Sequence, residues 1–162
     1  MNAIDPQSLS LDELRTTRNQ LQNEDDVVSY VRRVAQARLD LVRAEAHRRE
    51  RGESPEDLSS ELRVVLSSHL TGGPARPPRP VENLDDNDLS NQLDTVCAEH
   101  GFSRLESLST TELENLDRQL TTFERRVSDD RRERYEHLDA LSAELVRRYR
   151  DGEASVDGLL GS

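Results

Sequence analysis

Two segments of the chain carry nearly the same five polar residues at one spacing. Asp25, Ser29, Arg32, Gln36 and Asp40 are separated by 4, 3, 4 and 4 positions, and Glu124, Ser128, Arg131, Tyr135 and Asp139 repeat that spacing. At about 100° per residue on a helix, five residues so placed fall within roughly 80° of the surface, in a band about 22 Å long. The residue types suit guanine. Its O6 and N7 accept two donors side by side, which an arginine fork supplies. Its N1–H and exocyclic amine donate in parallel, which matches the two oxygens of a carboxylate. An arginine and an acid on one face, with a hydroxyl or amide between them, can select guanine and touch phosphate. Two copies suit a ligand with two guanines, or two such ligands. A single acid–arginine pair on a helix is ordinarily an exposed ion pair worth about 0.2–0.5 kcal/mol. The second copy in the same register, each copy with a serine and a terminal Asp, sets this band apart.

Other chemistry finds little support. His47, His69, His100 and His137 are scattered without the His/Cys/Asp spacing of a metal site, so no metal ligands are expected. Cys97, the sole cysteine, sits between Val96 and Ala98 and reads as a half-buried filler of a helix, not a nucleophile. Gly72-Gly73 lacks the strand, helix start and lysine of a phosphate loop. The acid pairs Asp85-Asp86 and Asp129-Asp130 have no apolar pocket to raise a carboxyl pKa, so general acid catalysis is not expected. No catalytic residue and no cofactor emerges, and the chain does not read as an enzyme.

The elements that must position the two bands are helices. Ser10 and Glu13 form a capping-box pattern for a short helix to about Leu21. Asn23 can cap a long helix over about 24–51, stopped by Gly52. Ser54-Pro55-Glu56 starts a helix over about 55–69 that closes the first half, 1–70. Residues 71–85 contain four prolines and two glycines between Thr71 and Pro80 and read as an extended linker. The second half, 86–151, begins with a helix over about 86–100, with Leu89, Leu93 and Val96 on one side and Gly101 as its stop. Ser109 and Glu112 repeat the capping box for a short helix. Thr121 and Glu124 read as the cap of a long helix over about 122–150, and residues 152–162 as a flexible tail.

The halves are related by a shift of 99 positions without a gap. Ser8-Leu9-Ser10 falls on Ser107-Leu108-Ser109, Val28-Ser29 on Val127-Ser128, Arg32-Arg33 on Arg131-Arg132, Ala44-Glu45 on Ala143-Glu144, and Arg48-Arg49 on Arg147-Arg148. The pattern reads as an internal duplication of a short helix followed by a long one. Beside each polar band runs an apolar flank: Val28, Ala35, Leu39, Val42 and Ala46 in the first copy, and Val127, Leu138, Leu141 and Leu145 in the second. Pairing the flanks buries them, so the expected fold is all-α: an antiparallel coiled-coil hairpin of two long helices with additional short helices.

Composition agrees with such a fold. With 33% apolar and 3% aromatic residues there is enough for a seam between helices but not for a large core. A net charge of −11 argues against broad DNA binding, which draws its affinity from cations on phosphates, and favours a basic protein partner. All 22 basic residues are arginine, so every cation is a planar fork. No stretch has the length and apolarity of a membrane span, there is no signal pattern, and a lone cysteine fits a reducing compartment; a soluble, cytoplasmic protein is expected.

The repeated D/E-x3-S-x2-R-x3-Q/Y-x3-D closely resembles the cyclic-di-GMP signature of the actinobacterial anti-sigma factor family RsiG, E-x3-S-x2-R-x3-Q-x3-D, found there on both helices of an antiparallel coiled coil. The resemblance implies that Asp25, Ser29, Arg32, Gln36, Asp40, Glu124, Ser128, Arg131, Tyr135 and Asp139 bind cyclic-di-GMP as a dimer. It also implies that the loaded form captures WhiG, a sporulation sigma factor of the flagellar type, and holds it inactive. Two positions depart from the signature: Asp25 replaces Glu and shortens its reach, and Tyr135 replaces Gln, trading an amide for a ring that can stack or donate a hydrogen bond. The competing reading is a nucleotide-independent coiled-coil adaptor or scaffold whose polar band is a solvated face.

Overall fold

The computed structural model describes residues 5–53 and 87–152, and all regular structure among them is helical. Three α-helices occur there: α1 over Leu11–Arg51, α2 over Asp88–Glu99 and α3 over Thr110–Arg150. Short 3₁₀ turns over Pro6–Ser8 and Phe102–Ser107 precede α1 and α3. The expected helix over about 55–69, the linker over 71–85 and residues 153–162 of the tail lie outside the described residues.

Both long helices are 41 residues, about 60 Å at 1.5 Å per residue, and their bounds obey the 99-residue shift. Both start at the expected capping boxes. Ser10 N–H donates to Glu13 Oε2 at 2.7 Å and Glu13 N–H to Ser10 Oγ at 3.3 Å. Ser109 and Glu112 repeat this at 2.7 and 3.2 Å. The expected division of each half into a short and a long helix is not found: α1 runs through Asn23 and α3 through Thr121 without a break. A capping side chain marks a helix boundary only where burial does not carry the helix past it. Here the apolar positions Leu14, Leu21, Val28 and Val31 carry α1 across that point, as Leu116, Leu120, Phe123 and Val127 carry α3. Thr121 instead donates its hydroxyl to Asp117 Oδ1 at 3.1 Å.

The chain divides into two compact units, residues 5–26 with 129–152 and residues 27–53 with 87–128 of those described. In the larger unit Val28, Val31, Ala35, Leu39 and Val42 of α1 bury against Leu113, Leu116, Leu120, Phe123 and Val127 of α3, and Leu93 and Cys97 of α2 complete that core. The expected flank is therefore buried, with Ala46 at its edge. Helix α2 starts at Asn87, whose Oδ1 accepts from Ser90 N–H at 2.9 Å, and stops at Gly101, whose φ of 77° is left-handed. A Cβ at Gly101 would lie 2.9 Å from Leu108 Cδ2, so close packing as well as φ calls for glycine there. Arg38 ties α2 to α1, with Nη1 2.7 Å from Asp94 Oδ1 and 3.3 Å from Cys97 Sγ. Burial pushes the Cys97 thiol up from its ordinary pKa, as befits a core filler. The smaller unit has its own cluster, Leu14 with Leu141 and Leu145, flanked by Leu9, Leu11, Leu21 and Tyr149.

Candidate functional site

Six of the ten motif residues lie in the larger unit: Ser29, Arg32, Gln36 and Asp40 on α1, and Glu124 and Ser128 on α3. Helical spacing puts the α1 residues in one row beside Val28, Ala35 and Leu39, so burying the apolar row brings the polar one against α3. Arg32 Nε donates to Ser128 Oγ at 2.8 Å and lies 3.3 Å from Glu124 Oε1. Gln36 Nε2 donates to the same Glu124 oxygen at 2.9 Å, and the Ser128 hydroxyl donates to it at 2.8 Å. One carboxylate oxygen thus gathers an arginine, an amide and a hydroxyl. Ser29 and Asp40 are half-buried on the same helix. A groove of about 720 Å³ in this unit includes Arg43, Asp117, Arg118, Thr121 and Arg125 in its lining. Arg43 follows Asp40 by three residues and Thr121 precedes Glu124 by three, so the groove continues the polar band by a turn.

The smaller unit holds the other four, Asp25 on α1 and Arg131, Tyr135 and Asp139 on α3. Asp25 is buried, and its Oδ1 lies 3.7 Å from Arg131 Nε. Arg131 Nη2 donates to Tyr135 Oη at 2.8 Å, and its guanidinium carbon sits 4.6 Å from the ring centroid. Asp139 and Tyr135 are exposed. The neighbouring Arg134 links Asp130 of its own helix to Glu24 of α1.

The two clusters are related by the duplication. Arg32 corresponds to Arg131 and Asp25 to Glu124, so in each unit the arginine of one copy meets the acid of the other. Reading each copy as a band on its own helix missed this exchange. Spacing along one helix carries no information about which residues face it from another.

A second duplicated arrangement was visible in the alignment but not as a cluster. Glu45 is fully buried and accepts from Arg48 through Nε and Nη2 at 2.8 and 2.7 Å and from Arg49 Nε at 2.6 Å. Arg49 then donates to the carbonyls of Leu108 and Leu105, just before α3, at 2.7 and 3.2 Å. Glu144 repeats the pattern with Arg147 and Arg148, and Arg148 donates to the carbonyls of Pro6 and Gln7, just before α1. The Arg48 hydrogen bonds, opposed by burial, hold the Glu45 carboxyl below its ordinary range; Arg147 and then Arg148 bring Glu144 down to about 2. The sign that could have found these clamps is the shared E-x2-R-R at the C-terminal end of both long helices.

Among the described residues no group of three or more His, Cys, Asp or Glu is arranged to hold a metal ion, and no helix is long and apolar enough to cross a membrane. Residues 2–66 match the family model described as RsiG-like. The matched residues include the first motif copy, Asp25 to Asp40, and the second copy lies beyond them. No curated protein matches the chain.

Proposed function

We propose that this chain, RsiG-like over its first half, is an anti-sigma factor that binds cyclic-di-GMP through both motif copies and, once loaded, sequesters a WhiG-type sporulation sigma factor. In this reading α1 and α3 run as an antiparallel coiled-coil hairpin. In the larger unit Arg32, Gln36, Arg43 and Arg49 of α1 meet Ser128, Glu124, Asp117 and Leu108, partners whose numbers fall as those of α1 rise. In the smaller unit Arg15, Arg18 and Asp25 likewise meet Tyr149, Ser142 and Arg131.

The observation that carries the proposal is the pair of related clusters in which an arginine, an acid and a polar neighbour converge. Arg32 and Arg131 engage guanine O6 and N7 or a phosphate, and Asp40 and Asp139 accept from guanine N1–H and its exocyclic amine. Ser29, Ser128, Gln36 and Tyr135 fix the orientation, while Asp25 and Glu124 hold the arginine forks in place until ligand arrives. Cyclic-di-GMP, bound as a dimer, offers its outward phosphates and second guanine to a basic sigma factor, which an acidic protein with a net charge of −11 also attracts at longer range. By linkage the sigma factor must tighten nucleotide binding by the factor that nucleotide tightens capture.

Capture of a purified WhiG-type sigma factor by the full chain, with and without cyclic-di-GMP, tests this. The wild type is expected to retain the sigma factor only with nucleotide, and the Arg32→Ala/Arg131→Ala double variant to lose it with its helical circular dichroism unchanged. Retention by the double variant, independent of nucleotide, would support the adaptor reading instead. The observation favouring that alternative is that both arginines already face a carboxylate across the helices, as in an ordinary ion-paired face.

A further inference from the structure

The two motif copies differ most at one position. Gln36 corresponds to Tyr135 under the 99-residue shift, and their surroundings diverge. Gln36 commits its amide to Glu124 Oε1, an oxygen that Ser128 and Arg32 also approach. Tyr135 stays on its own helix face, 42% exposed, with the Arg131 guanidinium 4.6 Å from its ring centroid and bonded to its hydroxyl. Arg131 is steadied from behind by Asp25, which is only 3% exposed. Val146 is the other large hydrophobic side chain exposed among the described residues.

A guanidinium lying over an exposed phenol ring, with a buried carboxylate near its Nε, joins a cation to an aromatic face. Purine bases stack on aromatic rings and on arginine planes because every base has a π-face. We propose that Tyr135 and Arg131 form a stacking platform for one purine base of the nucleotide, so that the two half-sites are unequal. The half-site with Tyr135 holds its base by stacking and sets the affinity. The half-site with Arg32 has an amide, Gln36, in place of the ring and works by hydrogen bonds. This inference rests on the cyclic-di-GMP reading and adds to it a residue that fixes affinity.

The test is titration of cyclic-di-GMP into the full chain carrying Tyr135→Phe, Tyr135→Gln or Tyr135→Ala, with the sigma factor present if the wild type needs it. Tyr135→Phe should bind within about twofold of the wild type, and Tyr135→Gln and Tyr135→Ala about tenfold more weakly, the scale of one lost stacking contact. Ring-labelled tyrosine should show the Tyr135 ring protons moving upfield on saturation, a ring-current effect that a merely structural tyrosine would not give. If the wild type binds but Tyr135→Gln binds equally well, or the Tyr135 ring protons do not move, the platform is wrong and the two-copy reading stands. Tyr135→Phe failing as badly as Tyr135→Gln would also overturn it, since the hydroxyl and not the ring would then matter. A wild type that does not bind cyclic-di-GMP in either format removes both.

Discussion

Glu45 and Glu144 are carboxylates with almost no exposed surface, each held by two arginines of its own helix. Burial alone would favour the neutral acid, but hydrogen bonds from Arg48 and Arg49, or Arg147 and Arg148, favour the charged one and win. The sign of the pH dependence follows. A carboxyl with a folded-state pKa of about 2, below its unfolded value of roughly 4.3, contributes stability that is full above the unfolded value and lost as pH falls toward about 2. Glu144→Gln should therefore have a lower denaturation midpoint than the wild type at pH 7, with the gap closing between about pH 4.5 and 2. Urea melts at three pH values check this, and a gap that is constant with pH would contradict it. Little of this was legible in sequence. Glu45, Arg48 and Arg49 look like any charged helix end, and only the fold reveals that the arginines are spent on a buried acid and on the carbonyls of the opposite half. The motif residues were better exposed to reading: their types and register were plain, but not that Arg32 is faced by Glu124 and Ser128, because cross-helix partners depend on how two helices pair.

At the scale of elements, helix ends are written locally and the middles of the long helices are not. Ser10 with Glu13, Ser109 with Glu112, Gly52 and Gly101 are signals a few residues wide, and each marks the boundary it predicts. Asn23 and Thr121 carry similar cap chemistry yet sit inside continuous helices, because the heptad-like apolar rows do not pause there. The structure thus predicts a contrast. Ser10→Ala and Ser109→Ala should each cost about 1 kcal/mol, as lost N-caps do, whereas Asn23→Ala should be neutral or slightly stabilising. Chemical denaturation of the three variants measures it; a loss of about 1 kcal/mol at Asn23 would mean that a helix starts there after all.

At the scale of the molecule, the duplication is the organising fact. One helical unit, repeated at 99 residues, yields equal long helices, equal capping boxes, equal arginine clamps and two composite clusters. The family match covers the first copy, and the second follows from the repeat. Departures from the repeat then become informative, since α2 belongs to the core of the larger unit and Tyr135 stands where the other copy has Gln36. The central proposal is that each of the two clusters binds a guanine of the nucleotide. Calorimetric titration of cyclic-di-GMP into the purified protein, alone and with a WhiG-type sigma factor, tests it most directly, with cyclic-di-AMP and GTP as controls. Selective saturation by cyclic-di-GMP that is lost in the Arg32→Ala/Arg131→Ala variant is the predicted result. No heat in either format, with a second binding assay in agreement, would contradict it and leave the duplicated band as surface charge.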